Sequence, residues 1–228
     1  MAKKIFVTGT GTDVGKTFVT ALIVKKLRES GLSAAYYKAA MSGNEKAADG
    51  KLIPGDALYV KKVSGIDQPL DEMCPYIYET AVSPHLASRI EGNPVVMEEV
   101  KKGFLAVCQK YDFVTMEGSG GILCPICFDE KEIWLEDVIR QLRLSSLIVA
   151  DAGLGTINSV VLTAEYMRSK DLAVKGILLN HFHPGNRMEE DNLRMCEHRT
   201  KLPVLTCVED GSGELAMDVE RLLSLYEE

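Results

Sequence analysis

Residues Gly9-Thr10-Gly11-Thr12-Asp13-Val14-Gly15-Lys16-Thr17 link the apolar run Ile5-Phe6-Val7 to a segment of helical periodicity that begins at Phe18. Such an arrangement binds a polyphosphate. Glycines let backbone N–H groups turn toward the phosphates, a lysine neutralises their outer oxygens, and the Thr17 hydroxyl can hold Mg²⁺. The helix that follows adds its positive N-terminal end. The usual spacing places a glycine six residues before the lysine, where this chain has Thr10 between Gly9 and Gly11, so the sequence predicts a variant phosphate-binding loop. A glycine-rich turn with an incidental lysine is the blander reading. Strand, glycines, Gly-Lys-Thr and helix rarely coincide by chance.

The elements that must position this loop alternate along the chain. Strands are expected at 3–8, 34–38, 112–116, 145–150, 174–179 and 203–206. Runs such as Leu147-Ile148-Val149 and Ile177-Leu178-Leu179 are apolar at consecutive positions, as in strands buried on both faces of a parallel sheet. Val19, Leu22, Ile23 and Leu27 share one helical face, as do Val160, Val161, Ala164 and Met167. Leu215, Val219, Leu222 and Tyr226 mark a terminal helix. The reading is a single α/β domain over 1–228, doubly wound, with a mostly parallel sheet flanked by helices and no internal repeat.

In such sheets ligands sit beyond the carboxyl ends of the strands, near the point where strand order reverses. The expected strands end at the phosphate loop, Lys38, Glu117, Asp151 and Asn180. Polar residues often end strands, but this many at one sheet edge favour a site. Magnesium takes oxygen ligands and only one or two carboxylates, so Thr17 and Glu117 could hold it with a second acid, Asp56. Asp56 could equally be an N-cap. Asp151-Ala152-Gly153-Leu154-Gly155-Thr156-Ile157-Asn158-Ser159 suggests a second anion site without a lysine, suited to a single carboxylate. Ordinary helix capping explains the same residues.

Other features weigh less. Cys124-Pro125-Ile126-Cys127 has metal-compatible spacing, but no second pair completes a zinc site. His181 and His183 could bind a metal, although a solvated loop accounts for them, and His85 is left as a core or site-proximal residue. Tyr76, Tyr78 and Trp134 read as packing residues, and Glu227-Glu228 as a frayed end. A net charge of -7 argues against a nucleic-acid or anionic-membrane surface. No apolar run approaches the roughly 20 residues of a membrane span, and nothing resembles an export signal. Six scattered cysteines suggest thiols in a reducing cytoplasm.

Four motifs together resemble the dethiobiotin synthetase family. Residues 9–17 are similar to its Gly-Thr-x-Thr-x-Val-Gly-Lys-Thr, including the Thr10 that breaks the common pattern. Tyr37-Lys38-Ala39-Ala40-Met41-Ser42-Gly43 resembles Tyr-Lys-Pro-x-x-Ser-Gly, Ser83-Pro84-His85 resembles Ser-Pro-His, and Glu117-Gly118-Ser119-Gly120-Gly121 resembles Glu-Gly-Ala-Gly-Gly. Their order and approximate spacing agree from residue 3 to about 187.

That resemblance implies the P-loop NTPase fold and an ATP- and Mg²⁺-dependent closure of a urea ring on 7,8-diaminopelargonic acid with CO₂, in biotin biosynthesis. It implies catalytic roles for Thr12, Lys16 and Lys38, and ATP contacts from Gly11, Thr12, Asp13, Val14, Gly15, Lys16, Thr17, Phe18 and Asn180. Magnesium would be held by Thr17, Asp56 and Glu117. Substrate contacts would come from Lys38, Ser42, Pro84 and Gly120. Gly155, Thr156, Ile157 and Asn158 would bind its carboxylate across a homodimer interface. Phosphoryl transfer depends mainly on positioning and charge stabilisation, so loss of Lys16 is expected to cost at least roughly 10²–10³ in turnover.

The chain departs from the family in places. Leu205-Thr206-Cys207-Val208-Glu209-Asp210-Gly211-Ser212-Gly213 stands where members commonly carry Gly-x-Ile-Pro, Ala39 replaces a proline, and His181-Phe182-His183-Pro184 differs after Asn180. One rival is a partition- or placement-type ATPase, which commonly carries a second lysine early in the loop, where residues 9–15 have none. A cobyrinic-type amide synthetase would need a glutaminase domain, for which the chain is expected to have no room. A nucleotide kinase would not explain Lys38, Ser-Pro-His and the second anion site jointly.

Overall fold

The structure is a computed structural model and describes residues 2–227. β1 (Lys3–Gly9) leads through the phosphate loop into α1 (Lys16–Glu29), followed by β2 (Ala34–Lys38). A short pairing of β3 (Ala40–Met41) with β4 (Tyr76–Ile77) brackets α2 (Gly55–Ser64). α3 (Pro84–Ile90) and α4 (Met97–Lys110) lead to β5 (Phe113–Gly121), and a hairpin of β6 (Pro125–Phe128) and β7 (Glu132–Trp134) runs into α5 (Leu135–Leu142). The chain then alternates through β8 (Ser146–Asp151), α6 (Thr156–Ser169), β9 (Val174–Asn180), α7 (Arg187–Thr200) and β10 (Val204–Val208), and closes on α8 (Val219–Leu223).

Six strands form one wholly parallel sheet in the order β10-β9-β8-β1-β5-β2. Successive strand residues point to opposite faces. Ile5, Val7, Leu147, Val149 and Leu178 therefore join α1, α2 and α8 in one core. Phe6, Ile148, Ala150, Ile177 and Leu179 join α4, α5 and α6 in the other. Burial on both sides explains the consecutive apolar positions, each large side chain stabilising the fold by roughly 1.5–3 kcal/mol.

From β1 the chain passes to the edge strand β2, returns to β5, then crosses to β8 and continues outward to β10. Strand order thus reverses beside β1, whose carboxyl end carries the phosphate loop. The β2 edge is closed by the Gln68 side chain and the Met73 carbonyl rather than by another strand. The Tyr36 N–H donates to Gln68 Oε1 at 2.8 Å, Gln68 Nε2 donates to the Tyr36 carbonyl at 3.0 Å, and the Lys38 N–H donates to the Met73 carbonyl at 2.8 Å. These bonds satisfy groups that an open edge would leave unpaired.

Three expectations need correction. β5 does not end at Glu117 but continues to Gly121, paired with Gly9 after an irregularity in β1. The terminal helix is short: Leu215 precedes it and Tyr226 follows it, both buried as core anchors outside the helix. Glu227 is not frayed, because its backbone exchanges hydrogen bonds with Lys4 and its carboxylate reaches Ser145 and Lys175. Glu228 lies outside the described residues. Among the described residues no helix is long and apolar enough to cross a membrane.

Candidate active site

Gly15 precedes α1 at φ 85°, a left-handed conformation costly for residues with a Cβ, and a Cβ there would lie 2.0 Å from Asn180 Nδ2. Only glycine fits. The turn brings Lys16 to the start of α1, where its Nζ folds back to the Gly11 carbonyl at 2.7 Å. Burial and then the charge of Lys38 push the Lys16 pKa below the ordinary lysine value, partly offset by Glu117 and Asp56.

Lys38 is paired directly opposite Glu117 in the β2–β5 register, so the two side chains leave the sheet together. Lys38 Nζ donates to Glu117 Oε1 at 2.7 Å and to Asp56 Oδ2 at 2.6 Å. Thr17 Oγ1 donates to the same Glu117 Oε1 at 2.8 Å, and the Tyr36 hydroxyl donates to Oε2 at 3.0 Å. Burial alone would depress the Lys38 pKa, but Glu117 and Asp56 more than offset it, leaving the ammonium above its ordinary range. Burial would likewise raise the Asp56 carboxyl, and Lys38 outweighs it, holding Asp56 low. The N-cap of α2 is Pro54, which rules out capping by Asp56 and leaves its carboxylate on Lys38.

This donor set fits a magnesium ion. Thr17, Asp56 and Glu117 all offer oxygen, and an ammonium already bridges the two carboxylates, so the gap between them is built for positive charge. Among the described residues no group of three or more His, Cys, Asp or Glu residues is placed to hold a metal. Two carboxylates fall within the one or two that magnesium takes when phosphates complete its shell.

These groups open into a cavity of about 850 Å³. Thr12 and Asp13 line its loop side, and Ser42, Pro84 and Gly120 line the opposite walls. Ser42 Oγ donates to the Val82 carbonyl at 2.5 Å, and Ser119 Oγ to the Ala40 carbonyl at 2.8 Å. Cys124, read from sequence as incidental, also faces the cavity; burial raises its thiol pKa against the pull of Lys16 and Lys38. Sequence reasoning missed Tyr36, Ser119 and Cys124. Tyr36 could have been found, because it lies two residues before Lys38 on one strand and so shares its face.

Other expected residues lie outside this cavity wall. Asn180 is buried at the end of β9, where Nδ2 meets the Val14 carbonyl at 3.3 Å and His181 Nε2 at 3.0 Å, while Oδ1 has no partner. Phe18 packs partly buried against the α1-side core. His181 binds Asp151 at 2.7 Å and His183 binds Glu189 at 3.1 Å, so both histidines clasp carboxylates. Where the sequence suggested a second anion site, Gly155 takes φ 94° ahead of α6, and Asn192 Nδ2 holds the carbonyls of Ala152 and Gly153 at 2.9 and 3.0 Å. The Thr156 hydroxyl there is buried without a partner. Gly155, Thr156, Ile157 and Asn158 form the helix start beside Leu154, which is 90% exposed.

The AAA domain family matches residues 3–212. ATP-dependent dethiobiotin synthetase BioD from Clostridium botulinum (strain Loch Maree / Type A3) is 46% identical over 228 residues, covering 100% of both chains. The BioD protein of Brachyspira hyodysenteriae (strain ATCC 49526 / WA1) is 48% identical, with the same coverage. Among solved structures, the MinC:MinD cell division protein complex of Aquifex aeolicus is similar with a TM-score of 0.58 at 15% identity, covering 93% of this chain and 87% of that one. A ParA family ATPase from Chlorobium tepidum TLS gives 0.53 at 16% identity, covering 92% and 84%. These two likenesses show a shared fold. The full-length identities show more: the chain belongs to the ATP-dependent dethiobiotin synthetase family.

Proposed function

We propose that this chain closes the ureido ring of dethiobiotin from diaminopelargonic acid and CO₂ at the expense of ATP, a carbon–nitrogen ligation in biotin biosynthesis. One observation carries the reading: Lys16 from the phosphate loop and Lys38 from the tip of β2 line one cavity with Thr17, Asp56 and Glu117. One substrate amine captures CO₂ as a carbamate. A carbamate oxygen attacks the γ-phosphorus and ADP leaves, giving a carbamic-phosphoric anhydride. The second amine attacks the carbonyl carbon, loses a proton and expels phosphate.

The protein's task is to hold anions in line and neutralise them. Lys16 and Thr12 stand on the phosphate side, and Lys38 is the cation for the carbamate. Magnesium, held by Thr17, Asp56 and Glu117, would supply further charge to the phosphates. Ser42, Pro84 and Gly120 bound the space for the substrate, and Gly11, Asp13, Val14, Gly15, Phe18 and Asn180 would supply the contacts to the nucleotide. The buried, unpartnered Oδ1 of Asn180 supports a base contact there.

The chain works as a homodimer in which Gly155, Thr156, Ile157 and Asn158 of one copy receive the substrate carboxylate at the other's cavity. Leu154 just before that helix start and Leu162 within α6, exposed by 90% and 61%, support burial against a second copy. The six free thiols fit a cytoplasmic enzyme.

Incubation with Mg²⁺-ATP, bicarbonate and diaminopelargonic acid should yield dethiobiotin by mass spectrometry, with phosphate released in step with ring closure. Phosphate release without ring product would overturn the reading.

A further inference from the structure

Glu117 is 1% exposed, and a buried carboxylate needs partners on both oxygens. Its two oxygens are treated differently. Oε1 faces Thr17 and Lys38, the residues of the cavity, whereas Oε2 is turned to the phenol of Tyr36. Tyr36 is itself wholly buried and fixed from three directions. Its ring sits in the α1-side core, and the Gln68 amide grips both its N–H and its carbonyl. A carboxylate can only accept, so the phenol is the donor of this bond.

Denticity separates small from large divalent cations. Calcium takes six to eight oxygens and accepts both oxygens of one carboxylate, whereas magnesium demands near-octahedral geometry with few protein ligands. A carboxylate whose second oxygen is tied to a wholly buried phenol presents to the cavity only its first, here the oxygen whose partners Thr17 and Lys38 line that cavity.

We propose that Tyr36 is a positioning residue for cation choice: by occupying Glu117 Oε2 it leaves Oε1 as the one oxygen presented beside Thr17, and so favours magnesium over calcium. This rests on the reading above, in which Thr17, Asp56 and Glu117 hold the metal of a bound nucleotide. Tyr36 touches neither the nucleotide nor the reacting atoms; it acts through Glu117.

The test is made on the full chain with a non-hydrolysable ATP analogue, using Mn²⁺ as the probe. Bound Mn²⁺ is followed by electron paramagnetic resonance while Mg²⁺ or Ca²⁺ displaces it. Wild type should show a clear preference for Mg²⁺, and Tyr36→Phe, which keeps the ring and removes one oxygen, should narrow that preference by roughly tenfold or more. Tyr36→Leu also lacks the hydroxyl and should narrow it similarly, which covers the case of a misfolded phenylalanine variant. Thr115→Val removes a buried hydroxyl that pairs with Tyr226 on the same side of the sheet, and should leave the ratio unchanged. An unchanged ratio in the hydroxyl-free variants, with wild type binding normally, overturns the role of Tyr36. A narrowing in Thr115→Val equal to theirs also overturns it, because general loosening would then suffice. Failure of wild type to bind Mn²⁺ with the analogue would instead overturn the functional reading itself.

Discussion

Lys16 and Lys38 enter the same cavity under opposite electrostatic conditions. Lys38 arrives with two carboxylates already at hydrogen-bond distance, so its charge is compensated before any ligand binds. Lys16 arrives with only a carbonyl to bond, and burial together with the neighbouring ammonium disfavours its charge. The first is a structural cation that can also serve chemistry. The second is a charge held in readiness for an anion, and its compensation must come from the ligand.

The largest effect expected from this contrast lies at Lys38. Lys38→Met would leave the Glu117 carboxylate buried and short of its ion-pair partner, and breaking such a pair by removing one side costs about 3–5 kcal/mol. Chemical denaturation should show that loss, and the double variant Lys38→Met/Glu117→Gln should recover much of it. Equal stability of wild type and Lys38→Met would remove the distinction between the two lysines.

How much of this was legible in the sequence depends on the range of the interaction. The phosphate loop is local, so residues 9–17 announce it through spacing alone. Lys38 and Glu117 are 79 residues apart, yet strand ends on a parallel sheet must converge, which made both foreseeable. Period-two alternation puts Tyr36 on the face of Lys38, but its partner was hidden, because Ala34, Ala35, Tyr36 and Tyr37 are all buried and nothing in β2 names the strand beside it. Only the adjacency of β2 and β5 decides it. Asp56 was ambiguous for a similar reason: N-cap or site residue turned on whether the cap of α2 fell at Pro54 or two residues later. Tyr226 misled because four residues beyond Leu222 mimics a helical period, while the chain there leaves the helix to pair with β1.

A third pole sharpens the contrast, since the start of α6 offers backbone donors and no lysine at all. Binding there would rest on amide groups and on Asn158, whose loss as a donor to a carboxylate costs about 1.5–3 kcal/mol. Asn158→Ala should therefore raise the KM for diaminopelargonic acid by roughly tenfold or more while leaving the KM for ATP nearly unchanged. Steady-state kinetics with each substrate varied in turn would measure this. Equal rises in both would detach this helix start from the substrate.

The smallest effect is also the most specific to Lys16. Its folded-state pKa lies below the ordinary lysine value of 10.5, so the unfolded chain binds the proton more tightly than the native one. At neutral pH the protonated side chain therefore opposes folding, and stability is regained as pH rises through the lowered value toward 10.5. Lys16→Met lifts that burden, so without ligand its Tm should exceed that of wild type at neutral pH, with the gap closing as pH rises. Mg²⁺-ATP should reverse the order, because only wild type would have the uncompensated ammonium of the loop to pair with the phosphates, and tight binding to the native state raises Tm. A ligand-free Lys16→Met variant melting below wild type at neutral pH would mean that the Gly11 carbonyl already compensates the charge, and that the two lysines differ less than their partners suggest.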